Sequence, residues 1–133
     1  MKRDMDLVRR ILFEVEKLPP LTARRIEVEG YSMNEVAYHC EMLYRYGLIK
    51  RYHGDEIDQL DGVIDFWVED LTWQGHDFLE KIREDTVWNK TKRVMKDKGL
   101  PFVLETVNII ASSFITAAAE GVANSIIKNG GQL

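Results

Sequence analysis

Apolar residues near the start of the chain recur every three to four positions. Leu7, Val8, Ile11, Leu12 and Val15 fall on one helical face, and Arg9, Arg10, Glu14 and Lys17 on the other. That is the spacing of an amphipathic helix. Asp4 is placed to cap it and Pro19-Pro20 to stop it, so the pattern predicts a helix over about 4–18. From Arg24 to Glu29 the period shortens to two: Ile26 and Val28 alternate with charge, as in a short half-buried strand, and Gly30 turns the chain. A second helix begins at Ser32, where Ser32 and Glu35 have capping-box spacing. Its inward stripe is Val36, Cys40 and Leu43, widened by Met33, Ala37 and Tyr44, and Gly47 is a natural C-cap.

Leu48 and Ile49 open a strand that runs to about Tyr52. His53 to Gly62 is polar and acidic and reads as a hairpin loop, and Val63 to Leu71 has strand character. Thr72 then caps a helix whose inward face is expected to hold Trp73, His76 or Asp77, Phe78, Leu79 and Ile82, with Trp88 and Val94 continuing past a break near Asp85-Thr86. Gly99-Leu100-Pro101 interrupts the chain. A long helix follows, with Pro101 in its first turn and its end near Lys128, before a fraying Asn129-Gly130-Gly131 tail. The order predicts an α+β, mainly helical fold, a winged helix built as helix-strand-helix-hairpin wing-helix, with an apolar C-terminal helix. Residues 1–98 would form the winged helix and a following basic helix; residues 99–133 would be an oligomerisation or core-covering element.

Two stretches carry a resemblance. Ser32 to Ile49, SMNEVAYHCEMLYRYGLI, is similar to the recognition helix and first wing strand of bacterial winged-helix regulators. Leu71 to Leu79, LTWQGHDFL, resembles the junction after their wing. The opening MKRDMDLVRRIL, the central EGYS…YH…GLI, LTWQGHDFL and the later DTVWNK together resemble an uncharacterised bacterial and phage-borne family of unknown function, over roughly Met1 to Gly99. That resemblance implies a winged-helix fold and brings no activity or ligand. The chain departs from a usual helix-turn-helix in one respect. The support helix expected before the recognition helix is reduced or missing in Leu21–Tyr31, which weakens the case for ordinary major-groove docking.

Charge changes the functional expectation. With net charge −4, whole-surface attraction to nucleic acid is excluded, though a local patch is not. The DNA-facing candidates are Asn34, Tyr38 and Arg45 on the second helix, with Lys50 and Arg51 on the wing strand. Yet Ser32 to Gly62 holds three basic residues against six acidic ones, and Asp55, Glu56, Asp58 and Asp61 make an acidic wing. Basic residues gather elsewhere. Before Ile26, Lys2, Arg3, Arg9, Arg10, Lys17, Arg24 and Arg25 outnumber four acids, and Lys81–Lys98 has seven basic residues against three acids. Such runs are most often solvated helix faces. The expectation is a small DNA-binding transcriptional regulator; the alternative is a winged-helix protein-interaction module that does not bind DNA.

Other chemistry is sparse. One cysteine, Cys40, excludes an internal disulfide and a cysteine-only zinc site; on an apolar helix face it is a buried thiol rather than a nucleophile. His39, His53 and His76 lack metal-ligand spacing, and His39 is expected to pack or cap. No phosphate loop, nucleophile elbow or paired carboxylates occur, so no enzyme activity, metal or cofactor is expected. The start has no apolar leader, which predicts a cytoplasmic protein. The terminal helix is the most unusual segment. No charge falls between Glu105 and Glu120, and a narrow polar stripe of Glu105, Asn108, Ser112, Thr116 and Glu120 leaves a broad apolar surface that must be covered. The uncharged run is shorter than the ~20 residues of a membrane span, so no span is expected. Pairing between subunits through Val103, Val107, Ile110, Phe114 and Ala118 is expected instead.

Overall fold

The computed structural model describes residues 1–56 and 63–129. The described chain is α+β and mainly helical, in the order α1 (Met5–Glu16), α2 (Met33–Tyr46), β1 (Ile49–Glu56), β2 (Val63–Leu71), α3 (Trp73–Ile82), α4 (Asp85–Asp97) and α5 (Leu104–Lys128). It divides into two compact units, Met1–Glu80 and Lys81–Leu133. The basic helix α4 therefore belongs with α5 rather than with the N-terminal helices. Residues 57–62, with Asp58 and Asp61 of the expected acidic loop, and residues 130–133 lie outside the described residues.

In the first unit, α1 starts where Asp4 accepts hydrogen bonds from the backbone N–H of Asp6 and Leu7, and it buries Leu7, Val8, Ile11, Leu12 and Val15 as its periodicity requires. α2 opens on a complete Ser32–Glu35 capping box and closes on Gly47 at φ 95°, a left-handed cap that favours glycine. Its buried face is Val36, Ala37, His39, Cys40 and Leu43. Tyr44, expected to widen that face, is exposed. It stands at the margin of a stripe that the smaller side chains already fill, and there its hydroxyl keeps water.

β1 and β2 pair antiparallel from Ile49↔Leu71 to Glu56↔Val63, with an irregularity at Asp55/Glu56. Strand pairing thus reaches four residues beyond Tyr52, into His53–Glu56, because β2 offers a continuous ladder whatever the polarity of the side chains. The strand expected over 24–29 is reduced to one bridge: Arg24 and Val68 exchange backbone hydrogen bonds of 3.0 and 2.9 Å on the far edge of β2. Ile26 and Val28 are still buried. Their alternation with charge reports which side faces the core, which an extended chain achieves without a ladder.

The junction into α3 is set by close backbone approach. Thr72 donates its N–H to the Leu48 carbonyl and its hydroxyl to the Gly47 carbonyl, and the hydroxyl accepts from the Gly75 N–H at 3.0 Å. A Cβ on Gly75 would stand 2.1 Å from the Leu48 oxygen. With Gly75 facing β1, the buried face of α3 runs Gly75, Phe78, Leu79, Ile82, at helical i, i+3, i+4, i+7 spacing. Trp73, His76 and Asp77, two of which were expected inside, consequently point to solvent.

In the second unit, α4 begins at Asp85 and buries Trp88, Thr91 and Met95. The Trp88 and Phe102 rings lie 5.5 Å apart. Residues before α5 are extended at Val103, so α5 begins at Leu104 rather than in the turn of Pro101. α5 packs on α4 through its first turns, where Val107 and Ala111 are buried, and Lys81 Nζ donates to Asn108 Oδ1 at 2.9 Å. From Ile115 to Asn129 every residue except Ile126 is exposed. The broad apolar face is thus covered only over its N-terminal part.

Candidate interaction surface

α2 and the hairpin carry the exposed candidate side chains of the first unit, and α2 is held to the start of α1 by a buried polar joint. His39 is only 1% exposed. Its Nε2 accepts from the Asp4 backbone N–H at 2.8 Å and its Nδ1 lies 2.7 Å from the Glu35 carbonyl. One partner can only donate and the other only accept, which fixes the neutral tautomer with the proton on Nδ1. The Asp4 carboxylate accepts from the Tyr31 hydroxyl at 2.9 Å as well as capping α1. Partial burial works against its charge, but the bonds from Leu7, Tyr31 and Asp6 outweigh that and hold its pKa below the usual carboxylate value. The same bond to Asp4, with burial, pushes the Tyr31 hydroxyl up. Thus Asp4, Tyr31 and His39 lock the start of α1 to the flank of α2. The sequence presents them thirty-five residues apart, and only the capping or packing role of His39 was legible there.

The outward side of α2 carries Asn34, Tyr38, Glu41 and Arg45 on one line and Tyr38, Met42 and Tyr46 on the next, the latter at i, i+4, i+8. Asn34, Tyr38 and Arg45 are exposed, as are Lys50 and Arg51 on β1. The cations differ in their company. Arg45 donates to Glu41 at 2.8 Å, and Arg51 lies 3.8 Å from Glu69, its direct cross-strand partner. Lys50 has no carboxylate partner among the described residues. Further down β1, His53 lies 3.2 Å from Asp55 and its ring faces Trp67 at 5.3 Å.

The same region leaves large side chains open to water. Tyr46 is 62% exposed and Trp73 is 79% exposed. Trp73 follows Thr72, whose hydroxyl is bonded to Gly47, so the indole is anchored at the C-terminal end of α2. Trp73 was read from sequence as a core residue. The signal that could have placed it outside is Gly75, since a helix whose glycine meets another backbone has its orientation fixed.

Two grooves flank the Arg24–Glu29 segment. The larger, about 820 Å³, is lined by residues including Lys17, Arg24, Arg25, Asp65 and Trp67. Arg25 there is held by Asp65 at 3.4 Å. Beside it, Leu21 and Asp70 both have positive φ, 58° and 48°, and the Asp70 carboxylate accepts from the Leu21 N–H at 3.3 Å. Among the described residues no cluster of three potential metal-ligating side chains forms, and Cys40 is buried, which pushes its thiol pKa up. Of the expected pairing residues, Val107 is buried, Val103, Ile110 and Phe114 are half-buried, and Ala118 is exposed. By length and composition α5 is also apolar enough to cross a membrane.

The chain belongs to the family described as Hypothetical protein (DUF2513), matched over residues 2–101. The match takes in α1 to α4 and ends before α5. The chain is also 33% identical, over 118 residues, to an uncharacterized protein of Haemophilus influenzae, covering 87% of this chain and 97% of that protein. No solved structure matches the chain.

Proposed function

We propose that the first unit is a winged-helix protein-interaction module whose partner docks on the Tyr38–Met42–Tyr46 stripe of α2 and on Trp73. In this assignment α2 is the recognition helix, the β1–β2 hairpin is the wing, and the Arg24–Val68 bridge is the remnant of the third wing-sheet strand. The observation that carries it is the contrast between charge and aromatic surface. Arg45 and Arg51 are each occupied by a carboxylate, whereas Tyr46 and Trp73 are uncovered. The neighbouring carboxylates offset part of the arginines' charge toward phosphate, while Tyr, Trp and Met are enriched where proteins bind proteins. No catalytic step is part of the proposal. It sets the protein in the cytoplasm, where an unpaired Cys40 stays reduced.

A photo-crosslinking residue at Tyr46 in the cell that encodes the protein is expected to give one discrete protein adduct, lost in Trp73→Ala with no change in folding. Adducts to nucleic acid alone would overturn the proposal.

DNA binding by a small transcriptional regulator is the second proposal. Exposed Lys50 and Arg24, neither with a carboxylate partner among the described residues, favour it, together with Asn34 and Tyr38 on the solvent face of α2. Duplex binding at low ionic strength that weakens with salt and is lost in Lys50→Glu would establish it at the expense of the first.

A further inference from the structure

We infer that the uncovered C-terminal part of α5 pairs with the same segment of a second copy of this chain, along a seam of Ile115, Ala118 and Val122 extended by Ile126. This goes beyond the role proposed for the first unit and does not depend on what that unit binds.

The seam emerges from two observations. First, the apolar residues expected to assemble subunits are mostly engaged inside the chain, since Val107 is buried and Ile110 and Phe114 are half-buried. Continuous exposure begins one residue later, at Ile115, and includes Val122 at 62% exposure. Second, the spacing on that free surface is that of a coiled coil. Ile115, Ala118 and Val122, all exposed, stand at i, i+3 and i+7. That places β-branched side chains at one seam position and a small alanine between them, a spacing that turns one face of a helix toward a partner helix. The alanine lets the two backbones approach, and no charge lies on the seam.

A second copy fits this face better than a bilayer does. Glu120 stands near the middle of the uncovered run, with Asn124 one turn on. A carboxylate at that depth opposes a membrane span. On a paired helix both residues lie on the side away from the seam and keep their water. The dimensions set the strength. Residues 115–128 make ~20 Å of helix at 1.5 Å per residue. A contact of that length is smaller than a standard interface, so the association is weak and reversible.

Sedimentation equilibrium of the full chain from about 1 to 100 µM tests this. The expected result is a mass that climbs from one copy toward two or more, and Val122→Glu holding it at one copy throughout. Because Val122 is uncovered, that variant is expected to keep its far-UV circular dichroism and melting temperature. Asn124→Asp, on the opposite side, is expected to associate as the native chain does. A native chain that stays monomeric at 100 µM overturns the inference. So does association that survives Val122→Glu, or a monomer that floats with phosphatidylglycerol vesicles through α5.

Discussion

Replacing His39 by leucine removes the one acceptor that holds the start of α1 to α2, and its cost can be worked from the joint. Leucine fills much of the imidazole's space and adds apolar burial, so the cavity term is small. What is lost is the acceptor for the Asp4 N–H at 2.8 Å and the donor to Glu35 at 2.7 Å. The Glu35 carbonyl lies in the first turn of α2, within that helix's own ladder, so its loss is the smaller. The Asp4 N–H has no second acceptor in its helix, being at the N-cap position. A buried donor without a partner costs ~1–3 kcal/mol. Asp4 is only partly buried, so water recovers some of that, and the balance is a destabilisation of about 2 kcal/mol. At ~1–2 kcal/mol/M for a small unit in urea, the midpoint falls by roughly 1 M. His39→Gln places an amide oxygen within reach of the same N–H and is expected to recover part of the loss. Urea unfolding followed by circular dichroism, with amide exchange on α1 to localise the effect, gives the measurement. A midpoint shift below ~0.2 M for His39→Leu, at unchanged slope, would show that apolar packing alone seats α1.

Other expectations follow from the same structure. Gly75→Ala sets a methyl 2.1 Å from the Leu48 oxygen; since the obstacle is backbone, a loss above ~3 kcal/mol is expected by thermal melting, well beyond the ~1 kcal/mol a helical Gly→Ala change gains from propensity. Asp4 has a folded pKa below its unfolded value, so its stabilisation is present above the unfolded pKa and disappears as pH falls through the folded one; an acid titration of stability should lose slope in Asp4→Asn. Tyr31 has a raised folded pKa, so its contribution holds below the unfolded pKa and is lost as pH rises through the folded one, and Tyr31→Phe should flatten the alkaline side. Leu21, exposed at φ 58°, is in a conformation that costs a branched side chain ~1 kcal/mol; Leu21→Asn is expected to raise the melting temperature by a few degrees, and a fall would mean that its side chain is held by contacts that outweigh the strain.

Local pattern determined most elements of this protein. The 3.6 period of Leu7, Val8, Ile11, Leu12 and Val15, the Ser32–Glu35 box and the Gly47 cap fixed α1 and α2, since each is satisfied within a few residues. The α+β, mainly helical class and the apolar character of α5 were legible for the same reason. Tertiary structure decided what short-range pattern leaves open. Residues 24–29 look like a strand, but a ladder needs a partner edge, and β2 supplies only one bridge there. Trp73 looks like a core residue until the contact of Gly75 with Leu48 orients α3 and turns the indole outward. Arg45 and Arg51 look like free cations until Glu41, one turn away, and Glu69, across the sheet, come within 2.8 and 3.8 Å of them. In α5 composition stated that a broad apolar face exists, and packing alone decided which part of it stays uncovered. Periodicity specifies which side of an element is apolar; only the arrangement of the other elements specifies what that side meets.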